Sequence, residues 1–418
     1  MNDTHSVKPR CVLPGVVIAF LLSACATSPD MRDGLVWQSA PDGSVRRSGG
    51  PNAQHFCAGK NYPNAREYGV WRFSEPCTRV GNFSGMQRLY RHNTVRAGQP
   101  SRMSRGPLSQ PMADKLSLYL DRYPATSLLV MRAGRLVFER YQYSGVPSDR
   151  FASFSMTKSV VAILVGIALD EGRIGSLDDL AEQYLPALSG TVWGRVSIRN
   201  LLRMSSGIAW RRTEDTNLHE RDILVRKMPI AASLKRFDRL NFEAGRKFNY
   251  NNANTSVLGL VVARVFGAPL ADVLSKRIWR PMGAERDAYW MTDVDQRETG
   301  FAYLNASPRD LIRLGQLLLA FGKLDDRQII PARWVAQLAG EGITGCPFAP
   351  GCIFGKWGYA YQTWLLPDRL GYFFWGVYGQ LLIILPKSQT VILQTGIADK
   401  PTFREEFLDL VRELAVAR

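Results

Sequence analysis

Histidine is scarce in this chain. Four occur in 418 residues, at His5, His55, His92 and His219, far apart in sequence. No Cys-x-x-Cys pair accompanies them, so zinc-ligand spacing is missing. No Gly-x-Ser-x-Gly elbow is present either, which disfavours a Ser-His-Asp hydrolase. The net charge is +16, but it is not gathered into dense Lys/Arg runs beyond short pieces such as Arg211-Arg212, and no zinc-finger or RNA-binding signature appears. A diffusely basic, solvated surface fits better than a nucleic-acid face, and would suit a protein lying near an anionic envelope surface. There is no internal repeat, and after the N-terminus no segment is long and apolar enough to cross a membrane. What remains is a chain with an ordinary hydrophobic fraction of 46%, able to bury a sizeable core in one large domain or two ordinary ones.

The first 24 residues read as a targeting segment. Lys8 and Arg10 precede an apolar stretch from Val12 to Leu22 that is too short to span a bilayer. It ends in Leu22-Ser23-Ala24-Cys25, which resembles the bacterial lipoprotein lipobox, in which the cysteine is lipidated. The resemblance implies a lipid anchor on Cys25, and Ala26 after it implies outer-membrane sorting on the periplasmic face. An ordinary signal peptide followed by an accidental cysteine is the alternative. Four cysteines remain: Cys57 and Cys77, Cys346 and Cys352. They form two sequence-local pairs, and in an oxidising compartment an even count points to disulfides, with metal binding as the weaker competitor.

Residues 25–110 are rich in Gly, Ser, Arg, Asn and Pro, with short aromatic pieces such as 68–73, and are expected to be a tether and loosely structured extension stapled by Cys57 and Cys77. From residue 111 to 418 the texture is globular. Met112 to Arg122 has helical periodicity, and Ser127 to Met131 and Leu136 to Tyr141 flank a turn, as in a β-hairpin. Helices are expected over Thr255 to Phe266, Pro308 to Gly322 and Phe403 to Val416, and strands over Gly371 to Trp375, Leu381 to Leu385 and Thr390 to Thr395. Strands at both ends of the region with helices between them predict an α+β fold. One sheet is assembled from chain-distant pieces, flanked by helices and interrupted by an all-helical insertion.

Ser155-Met156-Thr157-Lys158 is the chain's one Ser-x-x-Lys, and it stands directly before the apolar run Val160 to Leu169. Such a run reads as a helix buried on all sides, with Ser155 at its N-terminus and Lys158 one turn on along the same face. A serine before a helix is most often only an N-cap. A cap, however, has no use for a lysine pointing into an apolar site, where its pKa should fall. A neutral lysine can take the proton of a serine, which activates a nucleophile without histidine. Tyr250-Asn251-Asn252 supplies a second acid/base group: a tyrosinate beside an ammonium should have a lowered pKa, and the Asn252 amide can bond lysine and substrate. Tyr62-Pro63-Asn64 and Tyr303-Leu304-Asn305 share the Tyr-x-Asn pattern, and only context favours Tyr250.

With these motifs in order, the chain over about 110 to 418 resembles the serine β-lactamase and penicillin-binding-protein superfamily, most of all its class C-like branch of esterases, D-amino-peptidases and 6-aminohexanoate-dimer hydrolases. Supporting text is the stretch 197–207 and Ser307-Pro308-Arg309-Asp310-Leu311. The resemblance implies a β-lactamase-like fold with Ser155, Lys158, Tyr250 and Asn252 as catalytic residues, the backbone N–H groups of Ser155 and Gln380 as oxyanion hole, and no cofactor or metal. The third motif departs from the pattern: Val377-Tyr378-Gly379 stands where relatives carry Lys-Thr-Gly or His-x-Gly. Valine cannot hold a substrate carboxylate. The sequence therefore favours a hydrolase of small ester or amide substrates, with a β-lactamase or cell-wall peptidase and a non-catalytic binding protein as alternatives. It leaves the oligomeric state open.

Overall fold

The computed structural model describes residues 35–64, 74–399 and 405–416. The leader with Cys25 and the aromatic stretch 68–73 therefore lie outside the described residues, as does the start of the expected C-terminal helix. In chain order the strands are β1 (Gln38–Ser39), β2 (Val45–Arg46), β3 (His92–Val95), β4 (Ala125–Arg132), β5 (Arg135–Tyr141), β6 (Phe151–Ala152), β7 (Ala288–Met291) and β8 (Leu304–Ala306). They continue with β9 (Lys323–Leu324), β10 (Arg327–Gln328), β11 (Gly358–Tyr359), β12 (Trp364–Leu365), β13 (Tyr372–Gly376), β14 (Gln380–Leu385) and β15 (Thr390–Gly396). Nine make the main sheet, in the order β1-β2-β5-β4-β15-β14-β13-β12-β11. Its pairings are antiparallel except β2 on β5, which is parallel.

The centre of the sheet follows from its sequence. β14 and β15 are buried along their whole length and are rich in Leu, Ile and Val, as expected of strands covered on both faces. Their side chains alternate with period two. Leu381, Ile383, Leu385 and Ile392 join the helices Gln110–Arg122 and Glu405–Val416 in one core. Leu382, Ile384, Val391 and Leu393 face the other core, which includes residues of the helices Met156–Asp170 and Pro308–Leu319. The chain between the Met156–Asp170 helix and β7 is the expected helical insertion, whose longest helix is Asn252–Phe266.

Met156–Asp170 is the most deeply enclosed helix: Met156 to Ala168 are all buried. It lies between the sheet and Asn252–Phe266. Gly166 is required there, because a Cβ would sit 2.1 Å from the Trp334 ring, whose Nε1 donates to the Ala162 carbonyl.

One expectation is corrected. The described part of 25–110 is not loose. It adds β1 and β2 to the sheet edge and pairs β3 with β7, and Phe56, Phe83, Met86 and Val95 are fully buried against the main core. Its composition is too polar to build a core of its own, but a few apolar side chains suffice to dock on one that already exists.

Candidate active site

Ser155 occupies the N-cap of the Met156–Asp170 helix, yet its side chain caps nothing. Instead the hydroxyl is bonded to Lys158 and Tyr250. Lys158 Nζ lies 3.0 Å from Ser155 Oγ, 2.7 Å from Asn252 Oδ1 and 2.8 Å from the Phe301 carbonyl oxygen. The lysine is 1% exposed. Burial pulls its pKa down to about 7, against the pull of the Glu220 carboxylate in the other direction. The fall expected from the sequence is what the site produces.

Tyr250 goes the other way, and this is a correction. Burial pushes its phenol up to about 12, outweighing the hydrogen bond to Ser155 and the charge of Arg212. It is packed among Phe248, Tyr359 and Trp364, so the ionised form loses more hydration than the Ser155 hydroxyl and the Arg212 charge restore. Tyr250 is a phenol, not a tyrosinate, at neutral pH.

Asn252 opens its own helix and is buried. Its Nδ2 donates to Glu220 Oε1 at 3.1 Å, and the Tyr303 hydroxyl donates to Glu220 Oε2 at 3.1 Å. Burial raises the Glu220 pKa, opposed by Tyr303, the Lys158 charge and Asn252. His219, next in sequence, plays no part at the serine. It is buried between the Ser233 and Ser256 hydroxyls at 2.8 and 2.9 Å, and burial holds it neutral, at about 3.

Ser155 opens into a cavity of about 410 Å³. Its walls include Phe154, Tyr250, Tyr303, Glu220, Arg212, Trp364, Trp375, Gly376, Val377, Tyr378 and Asp399. The third motif is split by this arrangement. Val377 and Tyr378 line the cavity, while Gly379 and Gln380 do not. Gln380 is fully buried and its side chain bonds the Val377 and Gly396 carbonyls and the Gly396 N–H, tying the turn to β15. The 377–379 turn between β13 and β14 thus brings Val377 to the cavity and leaves the Gln380 side chain behind it. Among the described residues the Ser155 and Val377 N–H groups donate to no other protein group.

The extension reaches this wall. Tyr378 has φ of 65°, a left-handed conformation that costs a non-glycine residue about 1 kcal/mol or more. Its ring is held by Phe83 at 5.0 Å, Phe154 at 5.2 Å and the Arg79 guanidinium at 4.8 Å. Arg79 also pairs with Asp399 at 2.8 Å. Burial pushes the Asp399 carboxyl up, but Arg79 and His55 outweigh it and hold it below the usual range. Cys57 is bonded to Cys77 across 4.9 Å between Cα atoms, and Cys346 to Cys352 across 5.4 Å.

Arg212, Glu220, Tyr303, Trp375 and Asp399 were not legible as site residues. They are single residues in loops or short elements, brought in by the fold. One signal did exist for Tyr303: it begins the rival Tyr-x-Asn match.

Comparison with known proteins bears on the family and the fold. The beta-lactamase family model matches residues 112–406. A 6-aminohexanoate-dimer hydrolase from Paenarthrobacter ureafaciens is 29% identical over 301 residues, covering 68% of this chain and 76% of that protein. Among solved structures, a candidate 6-aminohexanoate-dimer hydrolase from Bacillus anthracis superposes with a TM-score of 0.73 at 23% identity, covering 81% of this chain and 93% of that one. A penicillin-binding-protein homologue from Caulobacter crescentus superposes with a TM-score of 0.57 at 15% identity, over 73% of this chain and 97% of its own.

Proposed function

Given that the chain belongs to the beta-lactamase family, we propose that it is a serine hydrolase that cleaves ester or amide bonds through an acyl-enzyme on Ser155. The observation that carries this is the bonding around Lys158. A neutral amine has two N–H donors and one lone pair. Two of its three neighbours, the Asn252 and Phe301 carbonyl oxygens, can only accept. Both hydrogens are therefore spent, and the lone pair is left facing Ser155 Oγ.

The chemistry follows. Ser155 Oγ bonds to the substrate carbonyl carbon as its proton passes to Lys158 Nζ. The N–H groups of Ser155 and Val377 take the developing oxyanion. Tyr250, held as a phenol beside Oγ, gives its proton to the leaving nitrogen or oxygen as that bond breaks, and is reprotonated from Lys158. Water then attacks the acyl-enzyme, and the same groups run the transfers in reverse. The relative named for 6-aminohexanoate dimer, a linear amide, supports including amides.

A second reading, a penicillin-recognising enzyme, is favoured by one observation. Arg212 brings to the cavity the cation that Val377 does not. Treatment with a fluorophosphonate and with a fluorescent penicillin, followed by peptide mapping, tests both. An adduct on Ser155 from the fluorophosphonate alone is the expected result. An adduct from both favours the second reading, and an adduct on Ser153, Ser205 or Ser206 refutes the nucleophile. We further propose that Cys25 carries lipid and holds the enzyme at the cell envelope, which mass spectrometry of the N-terminal peptide, with Cys25→Ser as control, would test.

A further inference from the structure

We propose that Glu220 is a positioning residue that fixes, through the Asn252 amide, the direction in which Lys158 presents its lone pair. The inference rests on Ser155 being the nucleophile.

An asparagine amide has an acceptor end and a donor end of nearly the same shape, and only its partners decide which way it faces. Here one end meets Glu220 and the other meets Lys158. Both oxygens of Glu220 are approached by donors, Asn252 Nδ2 on Oε1 and the Tyr303 hydroxyl on Oε2. With both contacts made as donations to the carboxyl group, the form that fits is a carboxylate, which only accepts. The Asn252 NH₂ must then face Glu220, and Oδ1 must face Lys158. With Oδ1 and the Phe301 carbonyl both demanding hydrogens, the amine has one direction left for its lone pair, the Ser155 hydroxyl. An inverted Asn252 would turn its NH₂ on Lys158 and compete for that lone pair. Glu220 thus acts on the serine through two intervening side chains without touching it.

The same carboxylate sets a charge beside the amine. The titratable groups around the pair are Ser155 and Tyr250 at the serine, Tyr303 and Tyr90 around Glu220, and His219, which stays neutral. Glu220 is the negative charge that raises the Lys158 pKa. Removing it should let that pKa fall further.

The test uses the full chain and a neutral p-nitrophenyl ester, with kcat and KM followed over pH. Glu220→Gln should lower kcat by about 10- to 100-fold, the loss that goes with weakening a hydrogen bond to a charged group. KM should stay within about twofold, because both Glu220 oxygens are taken by Asn252 and Tyr303 although the residue lines the cavity. The acid limb of kcat/KM should move to lower pH. A residue that only supports the fold would lower the amount of active enzyme without moving that limb. Glu220→Asp keeps the charge and carries the test should the glutamine variant not fold. Its limb should stay at the wild-type position while kcat falls, because the shorter side chain does not reach Asn252. Wild-type kcat with an unmoved limb in Glu220→Gln, or wild-type kcat in Glu220→Asp, overturns the proposal. These failures are separate from failure of the nucleophile: if the fluorophosphonate adduct is not on Ser155 the parent reading falls, whereas Ser155 labelled at the wild-type rate in Glu220→Gln removes Glu220 alone.

Discussion

The two sides of the cavity are built on opposite terms. On the inner side Lys158 and Asn252 are buried and Glu220 is half-buried, and the polar contacts among them and Ser155 run in one order, each set by the donor or acceptor next to it. On the outer side Val377 is 55% exposed and Phe354 63% exposed, and Arg212 lies over the Tyr250 and Phe354 rings with its charge open to solvent. Burial makes the inner side strict, because an unmet polar group there costs about 1–3 kcal/mol. Solvent makes the outer side tolerant, since an exposed contact is worth about 1 kcal/mol or less. The inner side can specify chemistry and the outer side can vary with substrate. Substitutions on the two sides should accordingly differ in size and in which kinetic constant they move.

The largest effect belongs to the serine. Ser155→Ala should cost on the order of 10⁴-fold or more in kcat with an unchanged melting temperature, because groups that act as a unit fail together. Stopped-flow acylation by a p-nitrophenyl ester is the measurement. A loss below tenfold would place the nucleophile elsewhere and dissolve the contrast between the two sides.

Next come the proton carriers. Lys158→Ala and Tyr250→Phe should each lower kcat by about 10²- to 10⁴-fold, the ordinary weight of general acid–base catalysis. Lys158 must be neutral to accept the serine proton, and its pKa is about 7, so wild-type kcat/KM should rise with pH through about 7. Tyr250 acts as a phenol, so activity should fall again only as pH approaches about 12. His219 contributes no limb between these, being neutral throughout. A flat profile from pH 6 to 8 would mean that Lys158 is not the base.

That contrast also marks what could be seen in the sequence. Ser155 and Lys158 are one helical turn apart, and the apolar run behind them announces the burial that makes the lysine useful. Local spacing was enough. The hairpin β4–β5 and strands β14 and β15 were legible for the same reason, since a short apolar run bounded by turn residues is a local signal. Glu220 carried no such signal: it is one acid in a short helix, and it matters only because the fold sets it against Asn252, 32 positions on. Gln380 lies off the cavity wall through turn geometry. A motif fixes the order of residues but not where a three-residue turn bends, and this turn ends before Gln380. The extension failed through composition, which measures the capacity to fold alone and not the capacity to dock.

On the outer side the effects should be smaller and fall on recognition. Arg212 is exposed, so Arg212→Gln should weaken kcat/KM by about fivefold for an ester whose acyl or leaving part carries a carboxylate, the equivalent of about 1 kcal/mol. A neutral ester should be hydrolysed as before. Val377→Lys places an ammonium on the same wall and should raise the preference for the carboxylated ester over the neutral one. Comparing the two esters in both variants isolates the charge from general damage. Equal losses for both esters in Arg212→Gln would move Arg212 to the inner side of the comparison.

The smallest expected effect lies at the rim, in the loop closed by Cys346 and Cys352. Phe354 follows two residues after Cys352 and projects to the Arg212 guanidinium, 5.5 Å from its ring centroid. The disulfide therefore anchors the segment that carries one contact of the mouth. The closed loop is short, so its loss should cost stability no more than about 2–3 kcal/mol. In the Cys346→Ser, Cys352→Ser double variant the loop can relax and Phe354 can leave Arg212, but nothing near Lys158 changes. We expect kcat to be preserved and KM for the carboxylated ester to shift by about two- to threefold, the scale of a contact of a few tenths of a kcal/mol. A tenfold fall in kcat would show that the rim and the acylating cluster are mechanically joined, and that the outer side is not tolerant after all. A KM shift as large for the neutral ester would show that the loop shapes the cavity as a whole rather than the surroundings of Arg212.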